Sequence, residues 1–188
     1  MPPYAYILLA AGWLAWVIPF FLIQRGRGPA QAVDKRARWG ILLEMLAYAA
    51  LWQGKFWTRA PGPWRLAPAA FLLAGAAAFS WTGVHALGKQ WRIDAGLNAD
   101  HQLVVWGPYR LVRHPIYTSM LFLLLGTGLV LTPFWLLALA TGLFLCGNEI
   151  RVRTEERLLA SRFGAAFLAY RRRAPALIPF SKLPVRAQ

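Results

Sequence analysis

From Ile116 to Gly147 the chain runs for 32 residues without one charged side chain. As a single helix this block would extend ~48 Å, well beyond the ~30 Å hydrocarbon core of a bilayer. Thr132-Pro133 falls near its middle. Proline lacks a backbone donor and disfavours helix at the residue before it. The block therefore predicts a tight helical hairpin with arms Ile116–Leu131 and Phe134–Asn148, each slightly short for a crossing.

Earlier apolar blocks repeat the pattern. The first runs from Tyr4 to Gln24, with Pro19 expected to kink it. It has no basic n-region and is followed by Arg25 and Arg27 instead of a small-residue cleavage site, so it reads as a retained span. A second span is predicted over Trp39–Phe56, and a third, rich in Ala and Gly, over Leu66–Leu87. Small residues of that kind allow close helix–helix approach. The Ala60-Pro61-Gly62-Pro63 turn separates the second span from the third. The expected architecture is all-α and polytopic, with about five transmembrane helices in a single membrane domain over residues 1–188. Residues 1–87 form three N-terminal spans, and residues 88–180 a core of polar loop, hairpin and C-terminal helix.

Composition agrees with lipid as the solvent. The chain is 58% hydrophobic and 15% charged, against ~25% charged in soluble domains. The net charge of +14 could suggest nucleic acid, but its distribution argues against that partner. Basic residues fill the gaps between apolar blocks, as in cytoplasmic membrane loops. Putting 25–38, 88–115 and the C-terminus on one side gathers eighteen of the 21 Lys and Arg there, leaving Lys55, Arg59 and Arg65 opposite. Positive-inside logic then places the N-terminus outside and the C-terminus in the cytoplasm of a plasma or bacterial-type inner membrane. Trp39, Trp57, Trp64 and Trp135 fall near the predicted span ends, as an aromatic belt requires. Cys146 is the only cysteine, so neither a disulfide nor a Cys-based metal site can form within the chain. Glu44 lies about one and a half turns inside the second span. The reading adopted is an interfacial charge; the alternative sets it against a partner inside the bundle.

Polar chemistry collects in two places. The first, His101 to Tyr117, holds two His, two Arg and two Tyr around the Gly107-Pro108 turn. Pro115 suits the first turn of the following helix, whose N-terminal amides and dipole could meet an anion beside Arg113 and His114. A basic juxtamembrane loop touching lipid headgroups would look the same. The second cluster, Glu149 to Leu159, continues the last span as a helix. Its Arg151/Glu155 and Leu159/Phe163 spacings give one charged and one apolar face, which suits either a solvated amphipathic helix or the wall of a site. The hairpin returns the second cluster to the membrane face of the first. A pocket between them could take a charged cofactor from water and an apolar acceptor from the bilayer.

The run His101-x-Leu103-Val104…Gly107-Pro108-Tyr109…Arg113-His114-Pro115-x-Tyr117, followed by Arg151-x-x-x-Glu155-Glu156-x-x-Leu159-x-x-x-Phe163-Gly164-x-x-Phe167-x-x-Tyr170, resembles the isoprenylcysteine carboxyl methyltransferase and phospholipid methyltransferase superfamily. Leu87-Gly88-Lys89-Gln90-Trp91 and Ala174-Pro175-Ala176-Leu177-Ile178-Pro179-Phe180 extend the likeness to roughly half the chain. The resemblance implies an integral membrane methyltransferase using S-adenosylmethionine and a lipophilic acceptor, a prenylcysteine-like carboxylate or a phospholipid amine. It implies a cofactor pocket lined by His101, Leu103, Gly107, Tyr109, His114 and Tyr117, and the charge of Arg113 beside them suits the cofactor's carboxylate. Glu155 and Glu156 would face the cofactor, Arg151 would point to the reaction centre, and no metal is implied. No glycine-rich strand–helix fingerprint occurs, in keeping with a fold other than Rossmann. Thr118-Ser119-Met120 after Tyr117, and Phe167 where a tyrosine is common, depart from the family pattern. A non-enzymatic membrane binding or transport protein and an NADPH-dependent reductase are the competing readings.

Overall fold

The computed structural model describes residues 1–23, 32–55, 60–92, 96–97 and 101–179. Prolines set most of the helix starts. Helix α1 (Pro3–Val17) opens on Pro3 and breaks at Ile18, and Pro19 begins the short α2 (Pro19–Leu22), where the kink is expected. Pro63 opens α4 (Pro63–Leu87) and Pro115 opens α5 (Pro115–Leu131). Pro133 caps α6 (Phe134–Phe163). In each case the missing N–H is one the first helical turn would leave unpaired. The remaining helices are α3 (Ala37–Leu51) and α7 (Ala165–Arg173). Short 3₁₀ turns cover Gly88–Gln90 and Gly107–Arg110.

Among the described residues, three helices are long and apolar enough to cross a membrane: Pro3–Leu22, Pro63–Gln90 and Phe134–Phe163. α5 is apolar but shorter, at 17 residues, and α3 has 15. α3 differs from the expected Trp39–Phe56. It starts at Ala37 and stops at Leu51, where the Gln53 side chain donates to the Ala49 carbonyl and Gly54 takes φ 69°. The helix closes at Trp52, and the left-handed Gly54 turns the chain away two residues later. Phe56, Trp57 and Arg59 lie outside the described residues. The described fold also departs from purely helical. Strands β1 (Ala32–Val33) and β2 (Gly96–Leu97) pair antiparallel, tying the two polar loops together.

The hairpin is as expected, α5 turning at Thr132-Pro133 into α6, and α6 runs unbroken through the second polar cluster. Its arms separate to different neighbours: α5 packs mainly on α4, and α6 mainly on α3. Ala5, Leu9, Ala69, Leu73, Ala76 and Leu123 bury one core between α1, α4 and α5. Ala47, Leu51, Leu124, Leu137, Ala140 and Phe144 bury another between α3, α5 and α6. Trp39, Trp64 and Trp135 are all exposed. α3 and α6 approach closely. A Cβ on Gly40 would sit 2.5 Å from the Gly147 carbonyl oxygen, and one on Gly147 2.6 Å from that of Gly40. Only glycine at both positions permits that contact.

Candidate active site

The 3₁₀ turn needs Gly107 at φ +60°, and it buries Tyr109 beneath the loop. The chain then reaches Arg113 and His114, both buried, immediately before α5. One turn into α5, Tyr117 stacks on His114, with ring centroids 5.5 Å apart and planes inclined by 11°. From α6, Glu155 and Glu156 close on this pair from either side of the imidazole. His114 Nδ1 lies 3.4 Å from Glu155 Oε2, and Nε2 lies 3.4 Å from Glu156 Oε1. The Tyr117 hydroxyl donates to Glu155 Oε1. Burial opposes a charge on His114, but the hydrogen bonds and charges of Glu155 and Glu156 outweigh it and raise its pKa above the ordinary histidine value. Burial holds the Tyr109 phenol well above its usual range, so it stays protonated.

Arg113 has a different occupation from the anion site the sequence allowed. Its Nε donates to Glu156 Oε1 at 2.8 Å, and its guanidinium also reaches the carbonyls of Arg171 and Ala174. Arg171 Nε lies 3.1 Å from Glu156 Oε2. The backbone amides of Arg113 and His114 donate to the carbonyls of Pro175 and Ala176, and Thr118 Oγ1 donates to that of Leu177. Tyr170 donates to the Tyr109 carbonyl at 2.7 Å. The end of α7 and the Ala174–Leu177 strap are thus fastened across the start of α5. The Glu149–Leu159 segment is accordingly more than a solvated face: Glu149 and Arg153 form its exposed ion pair, while Arg151 and Glu156 are buried.

Glu44 is the clearest correction. It is 2% exposed and lies inside the bundle, against a partner. Arg151 donates to its Oε2 at 2.6 Å, and Asn148 Nδ2 approaches Oε1 at 3.4 Å. A buried carboxylate needs such partners, since burying an unpaired charge is prohibitive. Arg151 also lies over the Tyr117 ring, 4.4 Å from its centroid, so Tyr117 touches both acidic systems. The sequence did carry a sign of this pairing. Gly40-x-x-x-Glu44 and Gly147-x-x-x-Arg151 each place a charge one turn beyond a glycine, and two glycines facing one another bring the charges together.

A cavity of about 380 Å³ opens above these groups, within the range of ~300–1,000 Å³ usual for small-molecule sites. His101, Leu103, Tyr109, Arg113, His114, Tyr117, Arg151 and Glu155 all reach its wall. Of the residues singled out from the sequence, Gly107 and Glu156 are not on the wall. The rest of the lining is largely apolar, with Trp16, Phe20, Leu87 and Trp91 packed together from the N-terminal helices and the turn after α4. Sequence reasoning missed that wall, because apolar residues of a span look the same whether they face lipid or a cavity. A smaller cavity of about 300 Å³ lies on the other side of Arg151, lined by Ile41, Glu44, Met45, Tyr48, Met120 and Arg151.

The isoprenylcysteine carboxyl methyltransferase family matches residues 69–161. That stretch contains the loop, the hairpin and the Arg151–Glu156 turn of α6. Among curated relatives, the cobalt-zinc-cadmium resistance protein CzcN of Cupriavidus metallidurans is 39% identical over 80 residues, 43% of this chain and 37% of that protein. The protein-S-isoprenylcysteine O-methyltransferase of Schizosaccharomyces pombe is 38% identical over 82 residues, 44% of this chain and 35% of that one. Methanethiol S-methyltransferase 2 of Bradyrhizobium diazoefficiens is 35% identical over 71 residues, 38% of this chain and 26% of the relative. The chain therefore matches only about a quarter to two-fifths of the length of these relatives. The matched segment is the one that builds the polar wall, and over it the chain is similar to the isoprenylcysteine carboxyl methyltransferase family.

Proposed function

We propose that this protein is an integral membrane methyltransferase that moves a methyl group from S-adenosylmethionine to a lipophilic acceptor. The observation that carries the reading is the two-faced cavity: family-matched polar residues form one wall, and aromatic and aliphatic residues of the spans form the other. The cofactor, when bound, supplies a methyl group activated on a sulfonium cation. The donor set fits such a molecule. Glu155 offers a carboxylate to ribose hydroxyls. Tyr109 presents an aromatic ring suited to a cation, while the Tyr117 ring already faces Arg151 and His114. His101 and Leu103 complete the wall on the loop side. Arg113 and Glu156 neutralise each other and hold the strap that roofs this end of the site.

Methyl transfer asks an enzyme chiefly for proximity, orientation and a field matched to a vanishing positive charge. Arg151, on the boundary between the two cavities, is placed to orient an acceptor. A carboxylate acceptor needs no base. An amine or thiol acceptor must lose a proton, and Glu155 is the carboxylate on the wall able to take it. Names of the relatives point to an isoprenylcysteine carboxylate in one case and a small thiol in another. We further place five crossings in the bilayer, adding α3 and α5 to the three long helices, with the N-terminus outside and the site cytoplasmic. The excess of Lys and Arg in the polar loops and C-terminus supports this.

Calorimetry on the purified protein in detergent tests the reading, with S-adenosylmethionine and its demethylated product as ligands. Binding of both without added metal is expected, and binding of neither removes the methyltransferase reading. For topology, a cysteine placed at Thr132 should be labelled from outside the cell; labelling only from the cytoplasm overturns the orientation.

A further inference from the structure

Glu44 belongs to neither of the motifs that carry the family likeness, and it lies outside the matched residues 69–161. It is nonetheless the acid that meets Arg151. Its surroundings fix it tightly. The Gly40–Gly147 contact locks α3 against α6 one turn away, and the Cβ of a residue at position 40 would also strike the Arg151 Cγ at 2.5 Å. The Arg151 stem therefore passes directly over Gly40 to reach Glu44. Asn148, fully buried, supports the second carboxylate oxygen. On its far side the guanidinium lies over the Tyr117 ring. Tyr117, in turn, donates to Glu155 on the wall of the larger cavity. Glu44 itself reaches only the smaller cavity.

We propose that Glu44 is a positioning residue: it holds the Arg151 guanidinium at the partition between the two cavities, flat on Tyr117, where Arg151 can orient the methyl acceptor. The proposal rests on the methyltransferase reading for its consequence in turnover, but the clamp itself can be measured without it. An arginine on an unclamped stem explores many rotamers, and a carboxylate and an aromatic face together select one. Removing the acid's charge leaves the cation present but less firmly aimed. Misplacing a positioning group by about 1 Å can cost on the order of a hundredfold in rate.

The test uses Glu44→Gln in the full-length protein in detergent, with three readouts. Cofactor affinity is measured by calorimetry with S-adenosylhomocysteine. Turnover is measured with an S-farnesylcysteine derivative as the carboxylate probe and a long-chain alkanethiol as the thiol probe. Rotation of the Arg151 guanidinium is followed by nitrogen-15 resonance, assigned by comparison with Arg151→Lys. The expected result is hindered guanidinium rotation in the wild type and measurably faster rotation in Glu44→Gln. Turnover should fall about ten- to a hundredfold while product affinity stays within about twofold. Unchanged rotation in Glu44→Gln overturns the clamp, and unchanged turnover overturns its role in catalysis. If the wild type binds no cofactor, the methyltransferase reading fails, and the rotation measurement alone decides the clamp. Should Glu44→Gln not fold, Glu44→Asp, with its shorter reach, is read in the same way.

Discussion

Glu155 and Glu156 are neighbours on α6, yet the structure gives them separate duties, and isosteric substitution should separate them. Glu156 faces Arg113, Arg171 and His114 and is absent from the cavity wall. Replacing it with Gln leaves the buried Arg113 guanidinium without its counter-charge. Breaking a buried pair in this way costs ~3–5 kcal/mol. Two carbonyls still accept from Arg113, and the exposed Arg171 contributes only ~0–1 kcal/mol, so the lower end of that range applies. For a chain of this size, ~3 kcal/mol corresponds to a fall of roughly 6–12 °C in melting temperature. The strap should also loosen, so that trypsin cuts faster at the exposed arginine run Arg171–Arg173. Glu155→Gln should behave oppositely. It stands on the wall, so losing its charged acceptor, worth ~1.5–3 kcal/mol, should weaken cofactor binding about ten- to a hundredfold. Melting curves, limited proteolysis and calorimetry on both variants provide the comparison. The division of labour is refuted if Glu156→Gln melts and resists trypsin like the wild type, or if both variants lose cofactor affinity equally.

Three other outcomes follow from the same geometry. His114 has a raised pKa in the folded protein, so the stability its protonation contributes is complete below the ordinary value of 6.5 and is lost as pH rises through the folded value. Melting temperature should accordingly decline across that window in the wild type but stay flatter in His114→Gln, and parallel curves would contradict it. Gly147→Ala places a Cβ 2.6 Å from the Gly40 carbonyl and should cost ~1–3 kcal/mol by denaturant melting, whereas Gly142→Ala, with open space around it, should cost little. Arg151→Lys keeps the charge but loses the planar fork. It should reduce turnover by more than it reduces S-adenosylhomocysteine affinity, and equal losses would argue against an orienting role.

How much of this was legible in the sequence depended on how local its cause was. Pro115 and Pro133 fix helix starts through their own missing donors, so the hairpin boundaries could be read to within a residue. The C-terminal end of α3 could not, because the helix stops at Leu51, before the Gln53-Gly54-Lys55 turn that would have marked it. The two polar blocks announced a site, but adjacent acids on a helix point ~100° apart, and only packing decides which faces the cavity. Glu44 was misread for a similar reason. Its partner is 107 positions away, and the periodicity of one helix says nothing about what another carries.

The ionisable groups of the site explain how such a cluster can sit beside an apolar bundle. Glu44, Glu155 and Glu156 face Arg151, Arg113, Arg171 and a His114 whose pKa is raised by the acids beside it, so each acid has a basic partner. They do not form one uniform network. Glu156, Arg113 and Arg171 tie α6 to the strap, and nothing in that group except Arg113 reaches the cavity. Glu44 and Arg151 tie α3 to α6 on the other side of Tyr117. Glu155 lies between, held by Tyr117 and His114, and it alone of the three acids reaches the larger cavity wall. A buried charge whose partners are all protein serves the fold, because any movement would leave both members desolvated and unpaired. A charge that is held on one side and faces a cavity on the other can exchange partners when a ligand arrives. By that criterion Glu155 and Arg151 are the residues through which a bound ligand would be felt, and the two flanking ion pairs are what keep them in place.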